Sequence, residues 1–199
     1  MTNTIQLIIV CALRCEAKPF IDFYKLQKQT RYKDFDLYTK NNVTVLVSGI
    51  GEQKIHAAID WFHHNLYLKN SAYHWLNIGI AGHQTATVGE LFKVSKISSP
   101  NQLDIIPHKL KTTCKTDTII SANDEESTYP HNCLYDMEAY IFFRTVLNFT
   151  DLKAIHCFKI VSDNPHQPVQ RNKAKISALI ANKLSEILSF IDDQITLSR

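Results

Sequence analysis

The sequence predicts an α/β fold with strands that are buried on both faces. Two short runs, Ile5–Val10 and Trp75–Ile78, are almost wholly apolar, which is typical of strands covered by helices on both sides of a parallel sheet. Val43–Val47 is a third such run. Apolar residues at helical spacing then follow it, which predicts an amphipathic helix, at Ile55, Ala58, Ile59, Phe62 and Leu66.

The remaining elements follow from similar patterns. Phe35–Thr39 and Val43–Val47 flank Asn41-Asn42, which predicts a β-hairpin. Ala154–Val161 predicts a further strand, and the spacing of apolar residues from Asn172 to Ile191 predicts a C-terminal helix. From Ser98 to Pro130 the pattern loosens, apart from short apolar runs at Leu103–Ile106 and Thr118–Ile120. We therefore expect an irregular segment that is mobile or packed against a partner.

Length and charge limit the classes of function. The chain has 199 residues, enough to bury a core as a single domain, residues 1–199. Its net charge of +3, without a basic stripe, argues against a nucleic-acid partner. No apolar run approaches the ~20 residues needed to span a bilayer. The run Ile5–Val10 is short and lacks a basic n-region, so we do not expect it to be a signal peptide. The expectation is a cytoplasmic protein with no membrane partner.

The cysteines argue against disulfides and against a metal centre. There are five, an odd number, and they are widely spaced, which favours free thiols. Cys11 and Cys15 have no second pair at a spacing suited to zinc. We therefore expect neither a metal nor a cofactor.

Four of the five glycines lie in two segments that follow predicted strands. These are Ser48-Gly49-Ile50-Gly51 and Gly79-Ile80-Ala81-Gly82. Small residues after a strand allow backbone N–H groups and a helix N-terminus to approach an anion or a polar ligand. Glycine also simply permits tight turns, so each segment alone is a weak signal. We expect both to be loops beside a site.

Three acids lie in predicted loops or at the start of a predicted helix: Glu16, Glu138 and Asp163. The carboxyl ends of strands in an α/β sheet lie along one edge, where ligands bind. Such a set suits cleavage of an N-glycosidic bond, in which one acid protonates the departing base and another positions water or holds the sugar. The alternative is three unrelated acids, with Asp136 and Glu138 capping the helix that follows them.

Four segments in this order resemble one superfamily. They are Ser48-Gly49-Ile50-Gly51, Asn77-Ile78-Gly79-Ile80-Ala81-Gly82, Asp136-Met137-Glu138-Ala139 and Val161-Ser162-Asp163. Together with a strand that leads to Glu16, they resemble the purine nucleoside phosphorylase/uridine phosphorylase superfamily, most closely the methylthioadenosine/S-adenosylhomocysteine nucleosidases. The resemblance implies a three-layer α/β/α sandwich around a mixed twisted sheet, a small-molecule nucleoside as ligand, and a homodimer or higher homo-oligomer.

The resemblance also implies roles for individual residues. Asp163, supported by Ser162, corresponds to the acid that binds and protonates the purine. Glu138 corresponds to the ligand of the ribose hydroxyls, Met137 to the methionine packed on the sugar, and Glu16 to the residue that activates water. The two glycine segments are expected to bind substrate through Ser48, Gly49, Ala81 and Gly82.

The nucleophile and the substrate stay open at this point. Phosphorylases of this superfamily hold phosphate with arginines and a hydroxyl, and this chain has Asn77 and Ile80 in the corresponding segment. Hydrolysis is therefore favoured, with phosphorolysis as the alternative because Arg14 lies close to Glu16. A weakly catalytic nucleoside-binding protein is a third hypothesis, because residues 91–134 are short for the family. The base and the 5′ group of the nucleoside are not determined by the sequence.

Overall fold

The computed structural model describes residues 5–29, 34–68, 71–109, 113–168 and 172–197. The strands in these ranges are β1 (Ile5–Cys11), β2 (Gln27–Lys28), β3 (Asp36–Lys40), β4 (Val43–Val47), β5 (Ala72–His83), β6 (Leu91–Ser98), β7 (Lys115–Ser121), β8 (Leu134–Asp136) and β9 (Ile155–Asp163). The α-helices are α1 (Arg14–Tyr24), α2 (Glu52–Leu66), α3 (Ala139–Val146) and α4 (Lys173–Leu197). A short 3-10 helix spans Leu152–Ala154. None of these helices is long and apolar enough to cross a membrane.

The strands form one mixed sheet in the order β2-β3-β4-β1-β5-β8-β7-β6-β9. Strand β1 is parallel to both β4 and β5. Strand β5 also pairs in parallel with β9 and, near its end, antiparallel with β8. The pairings β5–β8–β7–β6–β9–β5 therefore close half of the sheet into a ring, and β5 is the strand that joins the two halves.

Helices cover both faces of the sheet. On one face, Ile55 and Ile59 of α2 share a core cluster with Phe142 of α3. On the other face, Phe20 of α1 shares a second cluster with Ile180 of α4. This arrangement confirms the α/β prediction and the three layers that the family resemblance implied.

Most predicted elements form, with three differences. The hairpin around Asn41-Asn42 is present as β3 and β4, paired from Asp36↔Val47 to Lys40↔Val43. The segment Gly79–Gly82, predicted as a loop, instead lies inside β5 because the pairing with β9 continues through it. The segment 98–130, expected to be irregular, contributes β7 to the sheet. The C-terminal helix extends beyond Ile191 to Leu197.

A buried histidine lies in the core between β5, β9 and α4. The ring of His156 on β9 stacks on that of His74 on β5 at a centroid distance of 6.0 Å, and it meets Phe190 of α4 edge-on at 5.3 Å. Burial lowers the pKa of His156 to about 3, and the nearby His74, Lys93 and His108 act in the same direction. The folded protein therefore keeps His156 neutral.

This histidine should make the protein less stable in acid. The unfolded chain protonates His156 near pH ~6.5, while the folded protein does so only near pH about 3. The contribution to stability is complete above the unfolded pKa and is lost as the pH falls, at ~1.4 kcal/mol per pH unit for one proton. We expect the free energy of unfolding of His156→Leu, measured with urea between pH 7 and pH 4, to lack this contribution to its pH dependence.

Wild type and His156→Leu contain the same carboxylates, so a difference between the pH dependences of their stabilities is due to His156. Parallel stability curves for wild type and His156→Leu over this pH range would contradict the prediction.

Candidate active site

One cavity of about 1230 Å³ lies at the carboxyl ends of β1, β5 and β9. Glu16 from the start of α1, Glu138 from the start of α3 and Asp163 from the end of β9 all line it. The side chains of all three acids are buried. The structure thus brings together three carboxylates that are far apart in the sequence.

Most of the other residues proposed from the sequence also line this cavity. They are Met137, Ser162, Ala81 and Gly82. Ser48 and Gly49 do not line it, and the neighbouring Ile50 does. Ser48 is buried instead, where its hydroxyl donates to the carbonyl of Gly49 at 2.9 Å. The first glycine segment therefore contributes to the site through its main chain and Ile50.

The carboxylate of Glu16 links α1 to β5. Its Oε2 accepts a hydrogen bond from the N–H of Leu13 at 2.8 Å, and its Oε1 accepts one from the N–H of Ile80 at 2.9 Å. Burial raises the pKa of Glu16, and these two N–H groups and the charge of Lys159 partly offset that rise. A buried carboxylate with a raised pKa is a better proton acceptor than an exposed one.

Glu138 is held by the N-terminus of α2. Its Oε1 accepts a hydrogen bond from the N–H of Gly51 at 2.9 Å, and its side chain makes no cap for its own helix. Gly51 has φ +97°, a left-handed backbone that glycine adopts without strain. Burial and the charge of Asp136 raise the pKa of Glu138 to about 7. The capping explanation therefore does not account for Glu138.

Asp163 reaches the cavity because of a β-bulge. Ala81 of β5 pairs with Val161, and Gly82 pairs with Asp163, so Ser162 is an additional residue in β9. In a regular strand Ser162 and Asp163 would face opposite sides of the sheet, whereas both line this cavity. A bulge commonly redirects side chains in this way beside a functional site. The hydroxyl of Ser162 donates to Oδ1 of Asp163.

Lys159 and Asp136 form a buried ion pair beneath the three acids, which the sequence patterns did not predict. Lys159 of β9 has a side chain only 2% exposed, and its Nζ lies 2.8 Å from Oδ2 of Asp136. Burial alone would lower the pKa of Lys159, but the charge of Asp136 outweighs it and the pKa is raised, so the lysine stays charged. A lysine inside the largely apolar run Ala154–Val161 was the available signal.

Asp136 also receives hydrogen bonds from neutral donors. The hydroxyl of Ser121 donates to its Oδ1 at 2.6 Å, and the N–H of Ala139 donates to its Oδ2 at 2.9 Å. Asp136 therefore caps the first turn of α3, as the capping explanation predicted for this residue. The same carboxylate neutralises the charge of Lys159 and accepts a hydrogen bond from the start of α3.

Gly79 leaves room for this arrangement. A Cβ atom at Gly79 would lie 3.0 Å from Oε1 of Glu16 and 3.3 Å from Nζ of Lys159. Both distances are shorter than ordinary van der Waals contact. Because position 79 has no side chain, Glu16 and Lys159 can approach the same point of β5.

Known proteins resemble this chain in structure. No family model and no curated protein sequence matches it. The 5′-methylthioadenosine/S-adenosylhomocysteine nucleosidase of Helicobacter pylori, solved with butyl-thio-DADMe-Immucillin-A, superposes with a TM-score of 0.73 at 11% identity, covering 97% of this chain and 100% of that one. The Neisseria meningitidis nucleosidase with methylthio-immucillin-A gives 0.72 at 14%, covering 92% and 98%. The chain has the nucleosidase fold.

The structural neighbours of this chain include proteins with different activities. The futalosine hydrolase of Helicobacter pylori superposes on the chain with a TM-score of 0.70 at 14% identity, covering 92% of this chain and 97% of that one. Identities this low establish the nucleosidase fold alone, and the activity depends on the side chains in the cavity.

The described residues of this nucleosidase fold offer no group of three or more His, Cys, Asp or Glu side chains suited to a metal ion. The acids in the cavity instead contact N–H groups, hydroxyls and Lys159. Proton transfer and electrostatic stabilisation by these side chains are the chemistry that the arrangement itself supplies.

The Lys159–Asp136 pair should be essential for stability. We expect Lys159→Met to destabilise the protein by about 3–5 kcal/mol in urea unfolding, because it leaves a buried carboxylate without its counter-charge. The double variant Lys159→Met, Asp136→Asn is the matched control, since the amide needs no counter-charge. It should recover most of the loss. A single variant as stable as wild type, or a double variant no better than the single one, would contradict this account.

Proposed function

We propose that the protein hydrolyses the N-glycosidic bond of a purine-type nucleoside and releases the free base and a ribose derivative. The observation that carries the proposal is the convergence of Glu16, Glu138 and Asp163 on one cavity. The nucleosidase fold supports it, because two structural neighbours were solved with immucillin-type ligands. In this proposal residues 1–199 act as one domain.

Asp163 is the proposed acid for the departing base. The base leaves as an anion unless it receives a proton, so a carboxylic acid beside it lowers the barrier. The hydrogen bond from Ser162 fixes the orientation of the Asp163 carboxyl group. The bulge at Ser162 points both side chains into the cavity, which supports this assignment.

Glu138 is the proposed ligand of the ribose hydroxyls. The sugar becomes an oxocarbenium-like cation as the bond breaks, and a nearby carboxylate stabilises that charge. Burial and the charge of Asp136 raise the pKa of Glu138 to about 7, and hydroxyl groups that donate to the carboxylate favour its ionised form. Met137, half-buried at the cavity wall, packs on the sugar in this arrangement.

Glu16 is the proposed base for the attacking water. Its raised pKa favours proton uptake, and its two main-chain hydrogen bonds hold the carboxylate in one place. The water loses a proton to Glu16 as its oxygen bonds to the anomeric carbon, while the base gains a proton from Asp163. Both protons and the leaving group are thereby accounted for.

The charges in the cavity favour water over phosphate as the nucleophile. Among the described cavity residues Glu16, Asp136, Glu138 and Asp163 are buried acids, and the buried lysine behind them is already paired with Asp136. A phosphate dianion needs charged or N–H donors that are free to bind it. Arg14, Lys18 and Lys173 also line the cavity, but they are exposed. Arg14, which lies close to Glu16, keeps phosphorolysis as the second candidate.

We further propose a cytoplasmic homodimer or larger homo-oligomer. All five cysteines are free thiols, which suits a reducing compartment. Leu103 and Ile106, between β6 and β7, are exposed large apolar side chains of the kind that oligomer interfaces cover. Light scattering on the purified protein measures the oligomeric state.

The function is tested by incubating the protein with a panel of purine nucleosides and separating the products. We expect free base together with the free sugar, at a rate that added phosphate does not change. Ribose 1-phosphate and a phosphate-dependent rate would instead indicate phosphorolysis. No base release from any nucleoside would contradict both activities.

Asp163→Asn is the variant that tests the proposed acid in the same assay. The amide cannot deliver a proton, so kcat should fall by ~10²–10⁴-fold while the thermal unfolding midpoint changes little. Asp117→Asn is a matched control at a carboxylate outside the cavity lining. Near wild-type turnover by Asp163→Asn would contradict the assignment.

A further inference from the structure

The side chain of Tyr129 lies against the carboxylate that we assign to the base. Its hydroxyl donates a hydrogen bond to Oδ2 of Asp163, and its ring lies 5.6 Å from that of Tyr135. Burial and the hydrogen bond to Asp163 raise the pKa of the Tyr129 phenol, which therefore stays protonated as the donor. With Ser162 bonded to Oδ1, both oxygens of Asp163 have donors.

The ring of Tyr129 also rests on the main chain of β5. A Cβ atom at Gly82 would lie 2.3 Å from Cε1 of Tyr129, a distance that no side chain could occupy. Gly82, Tyr135 and Asp163 all line the cavity, and Tyr129 contacts each of them. Tyr129 is buried and packs behind these lining residues, at the Asp163 end of the cavity.

A flat aromatic ring with a polar edge directed at a carboxylate resembles a nucleobase in shape and chemistry. The Asp163 end is where a purine would need to lie to receive a proton from this acid, according to the proposed function. The phenol and the base therefore compete for the same carboxylate.

We propose that Tyr129 competes with a purine for Asp163 and that a bound purine displaces the phenol from this carboxylate. Tyr129 thus limits affinity: the binding of every base is weakened by the contacts that Tyr129 must give up. This inference rests on the proposed function, because it takes Asp163 as the group that binds the base.

The backbone around Tyr129 suits such a displacement. Residues 122–133 contain no helix or strand, so moving away from Asp163 breaks no ladder of main-chain hydrogen bonds. Tyr129 itself has φ +46°, in the left-handed region that is unfavourable for a residue other than glycine. Its contacts with Asp163 and Gly82 hold it there. Release from these contacts lets the backbone relax.

Titration calorimetry with adenine, hypoxanthine and guanine tests the inference. Tyr129→Phe removes the competing hydroxyl and Tyr129→Ala removes the whole ring, and we expect at least one of them to bind a purine about tenfold or more tightly than wild type. Tyr67→Phe is the matched control. It loses a phenol hydroxyl that bonds the Phe149 carbonyl far from this cavity, and its affinity should equal that of wild type.

Hydrogen exchange gives a second readout in the wild-type protein. Saturating purine should increase exchange in residues 122–133 as Tyr129 leaves Asp163. Purine binding that is equal or weaker in both variants, with this segment unchanged or better protected, would overturn the inference and make Tyr129 a fixed wall of the site. Tight binding seen only in a Tyr129 variant supports it. If no form binds any purine, the proposed function fails and this inference fails with it.

Discussion

The ion pair between Lys159 and Asp136 is the interaction on which the site depends. Burying a charged lysine costs several kcal/mol unless an opposite charge and further donors surround it. Asp136 meets that need while capping α3 through the N–H of Ala139. The junction between β8 and α3 is thereby fixed against β9, and Glu138 follows two residues later. The position of Glu138 thus follows from the need to neutralise the buried charge of Lys159 in the sheet.

The other acids reach the cavity through local departures from regular structure. The bulge at Ser162 turns Asp163 toward the cavity, and the left-handed Gly51 directs its N–H at Glu138. Gly79 has no side chain where Glu16 approaches β5. Each feature is a property of the main chain, and each makes space or supplies a donor for one carboxylate. The sheet provides the rigid frame, and these irregular points place the chemical groups at its edge.

The sequence predicts the strands and helices better than it predicts the site. Buried strands such as Ile5–Cys11 have a clear apolar pattern, and acids after strands indicate which edge carries chemistry. The segment Gly79–Gly82 was wrongly predicted as a loop, because glycine favours turns locally while its pairing with β9 is set by residues ~80 positions away. The contact between Tyr129 and Asp163, 34 residues apart, follows from the fold and has no local pattern.

A crystal structure of the protein with a purine nucleoside analogue would show whether Glu16, Glu138 and Asp163 surround one bound ribonucleoside. We expect the ribose hydroxyls within hydrogen-bond distance of Glu138, the base on Asp163, and Glu16 beside the anomeric carbon. An analogue bound with its sugar and base away from these carboxylates would contradict this arrangement.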